Sequence, residues 1–138
     1  MIMLIELLVG IVLAFAFVMW TRSQPDAGRL FYAIGLVVTP LIYFVFALIG
    51  RADARSLALE AAGVFLYGAA AWVGFRKSAT LLALGWALHV MWDVGLHLQG
   101  AGAAYTPDWY PWGCGSFDLI VAGAVLAAGA NMERRVAR

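Results

Sequence analysis

The stretch Gly85-Trp-Ala-Leu-His89-Val-Met-Trp92-Asp93-Val-Gly-Leu-His97 lies inside an apolar run of the chain, from Ala79 to Leu98. It holds both histidines of the protein, with one aspartate midway between them. A run of roughly 20 apolar residues is long enough to cross a membrane as an α-helix. On that helix His89, Asp93 and His97 follow one another at i, i+4 and i+8, so that each neighbouring pair can make contact. The stretch therefore predicts a membrane helix with one polar stripe.

The composition of the whole chain is typical of a membrane protein. Of its 138 residues 64% are hydrophobic and only 12% are charged, whereas a soluble domain carries about 25% charged residues. The net charge of +1 gives no bulk attraction to nucleic acid, so no nucleic-acid partner is expected. The single cysteine, Cys114, excludes an intrachain disulfide and a multi-cysteine zinc cluster. We interpret it as a small interfacial residue, although a thiol between two glycines could also be a ligand.

Apolar runs divide the chain into five spans, at about 2–20, 30–49, 57–75, 79–98 and 117–132. The predicted fold is therefore all-α, a single integral-membrane domain built as a bundle of five transmembrane helices in the lipid bilayer. The first run carries Glu6 and has no basic segment before it, so we interpret it as a retained helix and not as a cleaved signal peptide. The segment Gln99–Ser116 is rich in aromatic residues, which favour membrane interfaces. We expect it to form a lid over the bundle, with Ser116 capping the fifth helix.

The distribution of lysine and arginine predicts the orientation of the bundle. With five spans, the first loop, the third loop and the C-terminus share one side of the membrane, and they hold Arg22, Arg29, Arg76, Lys77, Arg134, Arg135 and Arg138. The opposite side holds only Arg51 and Arg55. Because basic loops stay in the cytoplasm, we expect a multi-pass protein of the cell inner (plasma) membrane with a cytoplasmic C-terminus. The N-terminus and the aromatic loop then lie outside.

This orientation also gives the depth of the ionisable side chains, since a helix rises about 1.5 Å per residue. Those that fall in the outer half of the bundle come from four helices: Glu6, Glu60, His89, Asp93, His97 and Asp118. Ionisable groups within a membrane are costly and usually face the bundle interior, where they are paired or functional. We therefore expect one shared polar site beneath the aromatic loop.

Three kinds of chemistry fit these residues. The first is a metal site, whose candidate ligands are His89, Asp93, His97 and Asp118. Side chains four residues apart on a helix can share one ion, and nitrogen and oxygen donors suit zinc, iron or manganese. The second is metal-free acid–base catalysis on a lipophilic molecule, with the candidate catalytic residues His89, Asp93, Asp118 and Glu60. The third is a proton or ion pathway, which fits less well because no ionisable residue continues it through the cytoplasmic half.

A structural interpretation stays open beside these functional ones. In this arrangement Glu6, Glu60 and Asp118 fall near helix N-termini, where the helix dipole favours a negative charge by roughly 0.3–1 kcal/mol. His89 and Asp93 lie deeper and toward a helix C-terminus, where the dipole disfavours an acid. The structural alternative for these two is a hydrogen-bonded pair that joins neighbouring helices.

Two groups of residues carry a resemblance to a known family: Gly85-Trp-x-x-His89-x-x-Trp92-Asp93-x-x-x-His97, and then Pro107-x-Trp109-Tyr110-Pro111-x-x-Cys114-x-x-Phe117-Asp118. The chain resembles a family of small bacterial integral-membrane proteins of unknown function over most of its length. That resemblance supports the grouping of these residues and brings no activity. His89-x-x-x-Asp93 in a five-helix bundle is also similar to the His-x-x-x-Glu of emopamil-binding sterol isomerases, which isomerise a lipid by acid–base chemistry. Here the acid is aspartate instead of glutamate, and the chain is much shorter.

The leading hypothesis is a small membrane protein whose outward-facing His/Asp/Glu site, enzyme-like or metal-binding, acts on a small lipophilic molecule. His89 and Asp93 are central to it, His97 and Asp118 come next, and Glu60 and Glu6 support them. One alternative is a non-enzymatic membrane protein in which the polar cluster fixes helix packing or binds a partner. Another is a transporter or ion pathway, which would need a homo-oligomer because five spans enclose little room for a path.

Overall fold

The computed structural model describes residues 2–24 and 27–136, with side chains over 3–24 and 27–129. Its α-helices are α1 (Ile2–Arg22), α2 (Gly28–Ile49), α3 (Ala54–Lys77), α4 (Ala79–Trp92) and α5 (Tyr110–Val136). A π-helical segment, Asp93–Leu98, continues α4, and a short 3-10 turn, Ala101–Ala104, lies in the loop that follows. These described residues include no β-strand, and five helical segments are long and apolar enough to cross a membrane. The predicted all-α bundle of five membrane-spanning helices is confirmed.

Glycines allow two close contacts between the helices. α1 packs against α5, α4 lies between α3 and α5, and α2 packs against α3. At Gly10 a Cβ atom would lie 2.1 Å from the backbone oxygen of Gly113, so α1 and α5 can approach this closely only because position 10 has no side chain. At Gly74 a Cβ atom would lie 2.6 Å from the Cα of Leu82, so the close approach of α3 and α4 also depends on a glycine. The interior is filled by fully buried apolar side chains, among them Leu36, Leu82, Trp86 and Val121.

Polar side chains mark the starts of α3 and α4. The Asp53 carboxylate accepts a hydrogen bond from the backbone N–H of Ser56 at 2.9 Å. Hydrogen bonding by Ser56 also lowers the pKa of this carboxyl, which lies in a connection outside the spans. The Ser78 hydroxyl caps α4 in the same way and accepts from the backbone N–H of Leu81 at 3.1 Å. Because Ser78 alone separates α3 from α4, these helices form a tight hairpin.

The fifth helix begins at Tyr110 and not at residue 117, as the sequence had predicted. Pro111 does not prevent this, because the first residues of a helix need no backbone N–H donor. Gly113 and Gly115 are helical as well, where α5 packs closely against its neighbours. Gly113 lies against α1, and a Cβ atom at Gly115 would lie 3.6 Å from an oxygen of Asp93. A side-chain Cβ at either position would make only ordinary van der Waals contacts, so both glycines lie at helix contacts without being required by them.

The earlier start of α5 changes the surroundings of two predicted site residues. The expected cap at Ser116 is wrong, since its hydroxyl lies within α5 and donates to the backbone oxygen of Leu7 at 3.0 Å. The aromatic loop shrinks to residues 99–109. Asp118 lies about 12 Å along α5 from its first residue, and Glu60 lies about 9 Å along α3, at roughly 1.5 Å per residue. Neither acid is in a first helical turn, so the helix dipole does not account for them.

Candidate functional site

The π-helical segment Asp93–Leu98 sets the directions of the ionisable side chains in the fourth span. Its backbone hydrogen bonds reach the fifth residue back instead of the fourth, which widens the turn. His97 consequently faces Glu60 on α3, whereas Asp93 faces α5. Among the described residues no polar contact joins Asp93 to His97. The predicted polar stripe of His89, Asp93 and His97 is therefore wrong for His97, which does not contact Asp93.

Side chains from the fourth span and α5 meet in what we call the inner cluster: His89, Asp93, Cys114 and Asp118. Each residue offers one donor atom, and these atoms all lie within 4.8 Å of one another. His89 Nδ1 lies 2.7 Å from Asp118 Oδ2 and 3.4 Å from Asp93 Oδ1. The Cys114 sulfur is 4.0 Å from Asp118 Oδ2. Each helix thus contributes one pair of residues at i and i+4, and the two pairs face each other.

The inner cluster is enclosed but incompletely paired. His89, Asp93 and Asp118 are 0% exposed, and Cys114 is 7% exposed. Polar atoms without a hydrogen-bond partner among the described residues are His89 Nε2, Asp118 Oδ1 and both carboxylate oxygens of Asp93. Buried polar groups are nearly always paired, and an unpaired one costs about 1–3 kcal/mol. These unpaired atoms can therefore bind an additional ion or molecule.

A second group, which we call the outer cluster, joins α3 to the aromatic loop through Glu60, His97 and Tyr105. Glu60 Oε1 lies 2.8 Å from His97 Nε2 and accepts a hydrogen bond from the Tyr105 hydroxyl at 2.5 Å. Glu60 is 0% exposed and His97 is 2% exposed. Gly102 packs on the imidazole so closely that a Cβ atom would lie 2.5 Å from His97 Cδ2. These contacts fasten the loop over His97.

Two buried tyrosines hold the imidazole rings in place. The Tyr43 ring stacks on His97, with centroids 3.5 Å apart and planes at 15°, and its centroid lies 6.0 Å from that of His89. Tyr67 meets the His89 ring edge-on at 4.7 Å, and its hydroxyl donates to the backbone oxygen of Leu88 at 3.1 Å. Sequence reasoning missed both tyrosines. Tyrosine prefers membrane interfaces, so two tyrosines inside apolar spans were a usable signal.

An apolar cavity of about 500 Å³ lies between α1, α2 and α5 and extends to Cys114. Apolar side chains that line it are also partly exposed on the outside of the bundle, with Val9 at 47%, Leu13 at 57% and Ile34 at 47%. The cavity therefore opens on the surface that a bilayer would cover. Glu6, which was expected to support the polar site, lines this cavity and belongs to neither cluster.

The structure divides the single predicted site into two. It brings together three of the candidate catalytic residues, namely His89, Asp93 and Asp118. The fourth, Glu60, lies in the outer cluster with His97, the candidate metal ligand that is set apart. Cys114 takes the place expected for that histidine, and its position four residues before Asp118 was the signal for it. The catalytic and metal-binding roles of all these residues stay predictions.

Five apolar helices around a buried cluster define the class of this chain as a small helical membrane protein with several spans. A model of a family of unknown function, DUF6010, matches residues 1–131. The chain therefore belongs to this family, and the predicted membership in a family of unknown function is confirmed. No curated protein and no solved structure matches the chain. The likeness to sterol isomerases stays a prediction.

Proposed function

We propose that the protein is a membrane enzyme that transfers protons to and from a small lipophilic molecule at the inner cluster. The observation that carries this proposal is the set of unpaired polar atoms on His89, Asp93 and Asp118, all within a fully buried site. A cluster that only joins helices gains nothing from unpaired atoms, because each of them weakens the fold. Groups that exchange protons with a bound molecule, in contrast, must keep such atoms free.

His89 and Asp118 are the centre of the proposed chemistry. Their atoms Nδ1 and Oδ2, 2.7 Å apart, share one proton, which orients the ring and leaves Nε2 free to accept another. We infer this tautomer from the contact with Asp118. Asp93 is the second acid. Because the Asp118 carboxyl is paired with His89 and the Asp93 carboxyl is not, one of the two can act as a proton donor and the other as a proton acceptor. We propose Glu60 as a positioning residue and not as a catalytic one, because it holds His97 and Tyr105.

The cavity supports a lipophilic substrate. Its lining is almost wholly apolar, and it opens on the apolar outside of the bundle. Cys114 belongs both to this lining and to the inner cluster, so the cavity extends to the side of the cluster that the thiol forms. Its volume of about 500 Å³ falls within the usual range of small-molecule sites, roughly 300–1,000 Å³.

We further propose that the site lies in the outer half of the plasma membrane. The aromatic loop covers the clustered end of the bundle, while basic residues gather at the opposite end, among them Arg22, Arg29, Arg76 and Lys77. A membrane-impermeant maleimide added to whole cells should label Asp108→Cys and leave Lys77→Cys unlabelled. Both positions are exposed, whereas the native Cys114 is buried and gives little background. Labelling of residue 77 but not of residue 108 would reverse the orientation.

Deuterium incorporation tests the proton transfer on a mixture of lipids, so the substrate need not be identified first. The protein, in lipid nanodiscs, is incubated in D2O with a lipid extract of the producing cells, and the lipids are then analysed by chromatography and mass spectrometry. Wild-type protein should introduce carbon-bound deuterium into one lipid species, and His89→Gln should not. His97→Gln is the matched control, because it removes the other histidine and leaves the inner cluster intact. If wild-type protein labels no lipid, or if His89→Gln labels it equally well, the proposal is wrong.

A further inference from the structure

We propose that the inner cluster binds one divalent metal ion of the zinc type through His89, Asp93, Cys114 and Asp118. This inference goes beyond the proposed proton transfer, because a metal could be held here whether or not a lipid is altered. An ion at this place would also polarise an oxygen atom of a bound substrate. Acidic residues and one cysteine do not make a metal site by themselves. The independent observation is the set of unpaired polar atoms on residues that are 0% exposed.

The distances between the donor atoms are close to those of a tetrahedral metal site. Ligand atoms bound to one zinc ion lie about 3.3–3.7 Å from each other, given bonds of roughly 2.0–2.3 Å. In the inner cluster the pairs measure 2.7 Å, 3.4 Å and 4.0 Å, and no pair exceeds 4.8 Å. The His89–Asp118 pair would have to open by about half an ångström, and the thiol would have to approach by a similar amount. A pair as far apart as 4.8 Å would have to close by about 1 Å.

The helices place the four donors as two opposed pairs. His89 and Asp93 are four residues apart on the fourth span, and Cys114 and Asp118 are four residues apart on α5. Ligand pairs at this spacing recur in zinc sites built on helices. Gly115 of α5 lies beside this cluster, since a Cβ atom there would lie 3.6 Å from Asp93 Oδ2, in ordinary van der Waals contact. Asp93 is also the first residue of the π-helical segment, a feature that is frequent at functional sites.

Charge balance favours a divalent cation. Among the described residues, the only cationic partner of Asp93 or of Asp118 is His89. One imidazolium cannot balance two buried carboxylates, and an uncompensated buried charge costs several kcal/mol. A divalent ion beside a neutral imidazole supplies two positive charges against the two carboxylates, and one net negative charge remains when Cys114 binds as a thiolate. Its binding through Nδ1 would move the proton that His89 shares with Asp118 to Nε2 and would displace the thiol proton of Cys114, so uptake should release a proton.

The donor set selects the class of metal. A thiolate and an imidazole favour Zn²⁺ or Fe²⁺, whereas Mg²⁺ and Ca²⁺ prefer sites built from oxygen. Manganese, which the sequence had left open, fits less well once the thiol of Cys114 replaces His97 as a ligand. His97 is not among the residues whose donor atoms lie within 4.8 Å of one another, and its Nε2 lies 2.8 Å from Glu60 Oε1 in the outer cluster.

Metal content and cobalt spectroscopy test this inference. Protein produced with added zinc and purified without chelators should hold about one zinc ion per chain, and His89→Gln and Cys114→Ser should hold at least about tenfold less. His97→Gln is the matched control and should keep the wild-type content. Metal-free wild-type protein titrated with Co²⁺ should develop a thiolate-to-cobalt charge-transfer band, which Cys114→Ser should lack.

Two results would overturn the inference. One is folded wild-type protein that holds less than about a tenth of an ion per chain and gives no cobalt band. The other is wild-type zinc content in both His89→Gln and Cys114→Ser. Should either variant fail to fold, the cobalt titration of the wild-type protein decides alone. Loss of the metal with intact lipid deuteration would remove the metal site and leave the proposed function standing.

Discussion

The two histidines lie on one span, yet their clusters differ in how completely they are paired. In the outer cluster, Glu60 Oε1 meets two partners, His97 Nε2 and the Tyr105 hydroxyl. In the inner cluster, four of the six side-chain nitrogen and oxygen atoms of His89, Asp93 and Asp118 have no partner among the residues that the structure describes, whereas in the outer cluster two of five, Glu60 Oε2 and His97 Nδ1, have none. Depth and residue type do not distinguish the two clusters, but the share of unpaired side-chain atoms does. The outer cluster has the features of a structural contact, and the inner cluster has those of a binding site.

The structural elements that each cluster connects support this distinction. The outer cluster ties a loop to a helix across 45 residues of sequence, from Glu60 to Tyr105. The inner cluster joins α4 to α5, which already pack against each other along apolar side chains, including the Trp86 and Phe117 rings at 5.8 Å. Helix packing at that place does not depend on polar contacts. The fold therefore needs the outer cluster more than the inner one.

The largest effect is expected from Glu60→Ala. This change leaves two partners of Glu60 unpaired, the buried His97 Nε2 and the partly exposed Tyr105 hydroxyl, so the free energy of unfolding should fall by about 3–5 kcal/mol. Equilibrium unfolding in mixed detergent, followed by tryptophan fluorescence, measures this quantity. Glu60→Gln keeps an oxygen acceptor and should lose clearly less. A decrease in the free energy of unfolding of less than about 1 kcal/mol for Glu60→Ala would contradict the structural role of the outer cluster.

A smaller effect is expected from Tyr105→Phe, which removes one hydrogen bond to a buried carboxylate. Such a bond contributes about 1.5–3 kcal/mol when its partner is charged, and the partial exposure of Tyr105 places the loss at the lower end. Amide hydrogen exchange should become faster over residues 99–109 and stay unchanged in the helices. Trp109→Phe, at an exposed position in the same loop, is the matched control. Equal exchange rates in the loop of Tyr105→Phe and wild type would refute the anchoring contact.

Most of the fold could be predicted from the sequence, because a membrane span is a property of composition and length. The five apolar runs gave five helices. The start of α5 was missed because Gly113 and Gly115 are typical of loops, whereas here both lie in a helix that packs against α1 and against Asp93. A contact between two helices cannot be deduced from the residues of one.

The candidate site could be predicted in part. His89, Asp93 and Asp118 were grouped by their depth along regular helices, and the structure brings them together. His97 was misplaced because four residues were assumed to span one α-helical turn, while the backbone there is π-helical. No residue type predicts a π-helical segment, since it reflects a backbone register that tertiary packing imposes. Cys114 was undervalued because the start of α5 had been missed.

A still smaller effect is expected at alkaline pH, which should reduce the contribution of the Tyr105 hydroxyl to the stability of the fold. Burial, and then the hydrogen bond to Glu60, raises the pKa of the Tyr105 hydroxyl above its usual value near 10. A group with a raised pKa stabilises the fold fully below its unfolded pKa and loses that contribution as the pH rises through the folded pKa. The stability difference between wild type and Tyr105→Phe should therefore be constant from about pH 7 to pH 9 and shrink above about pH 10. Thermal unfolding of both proteins across this range measures it, and a difference that shrinks already below pH 9 would refute the contact.

The smallest change is expected from Asp93→Leu in protein kept metal-free by a chelator. Both carboxylate oxygens of Asp93 lack hydrogen-bond partners among the described residues, so an apolar side chain removes an uncompensated charge and few favourable contacts. The free energy of unfolding should stay within about 1 kcal/mol of wild type or increase. Asp93→Asn, of equal size, separates the effect of charge from that of volume. A loss of about 3 kcal/mol or more in both variants would show that Asp93 joins helices as Glu60 does, and the distinction between the two clusters would then fail.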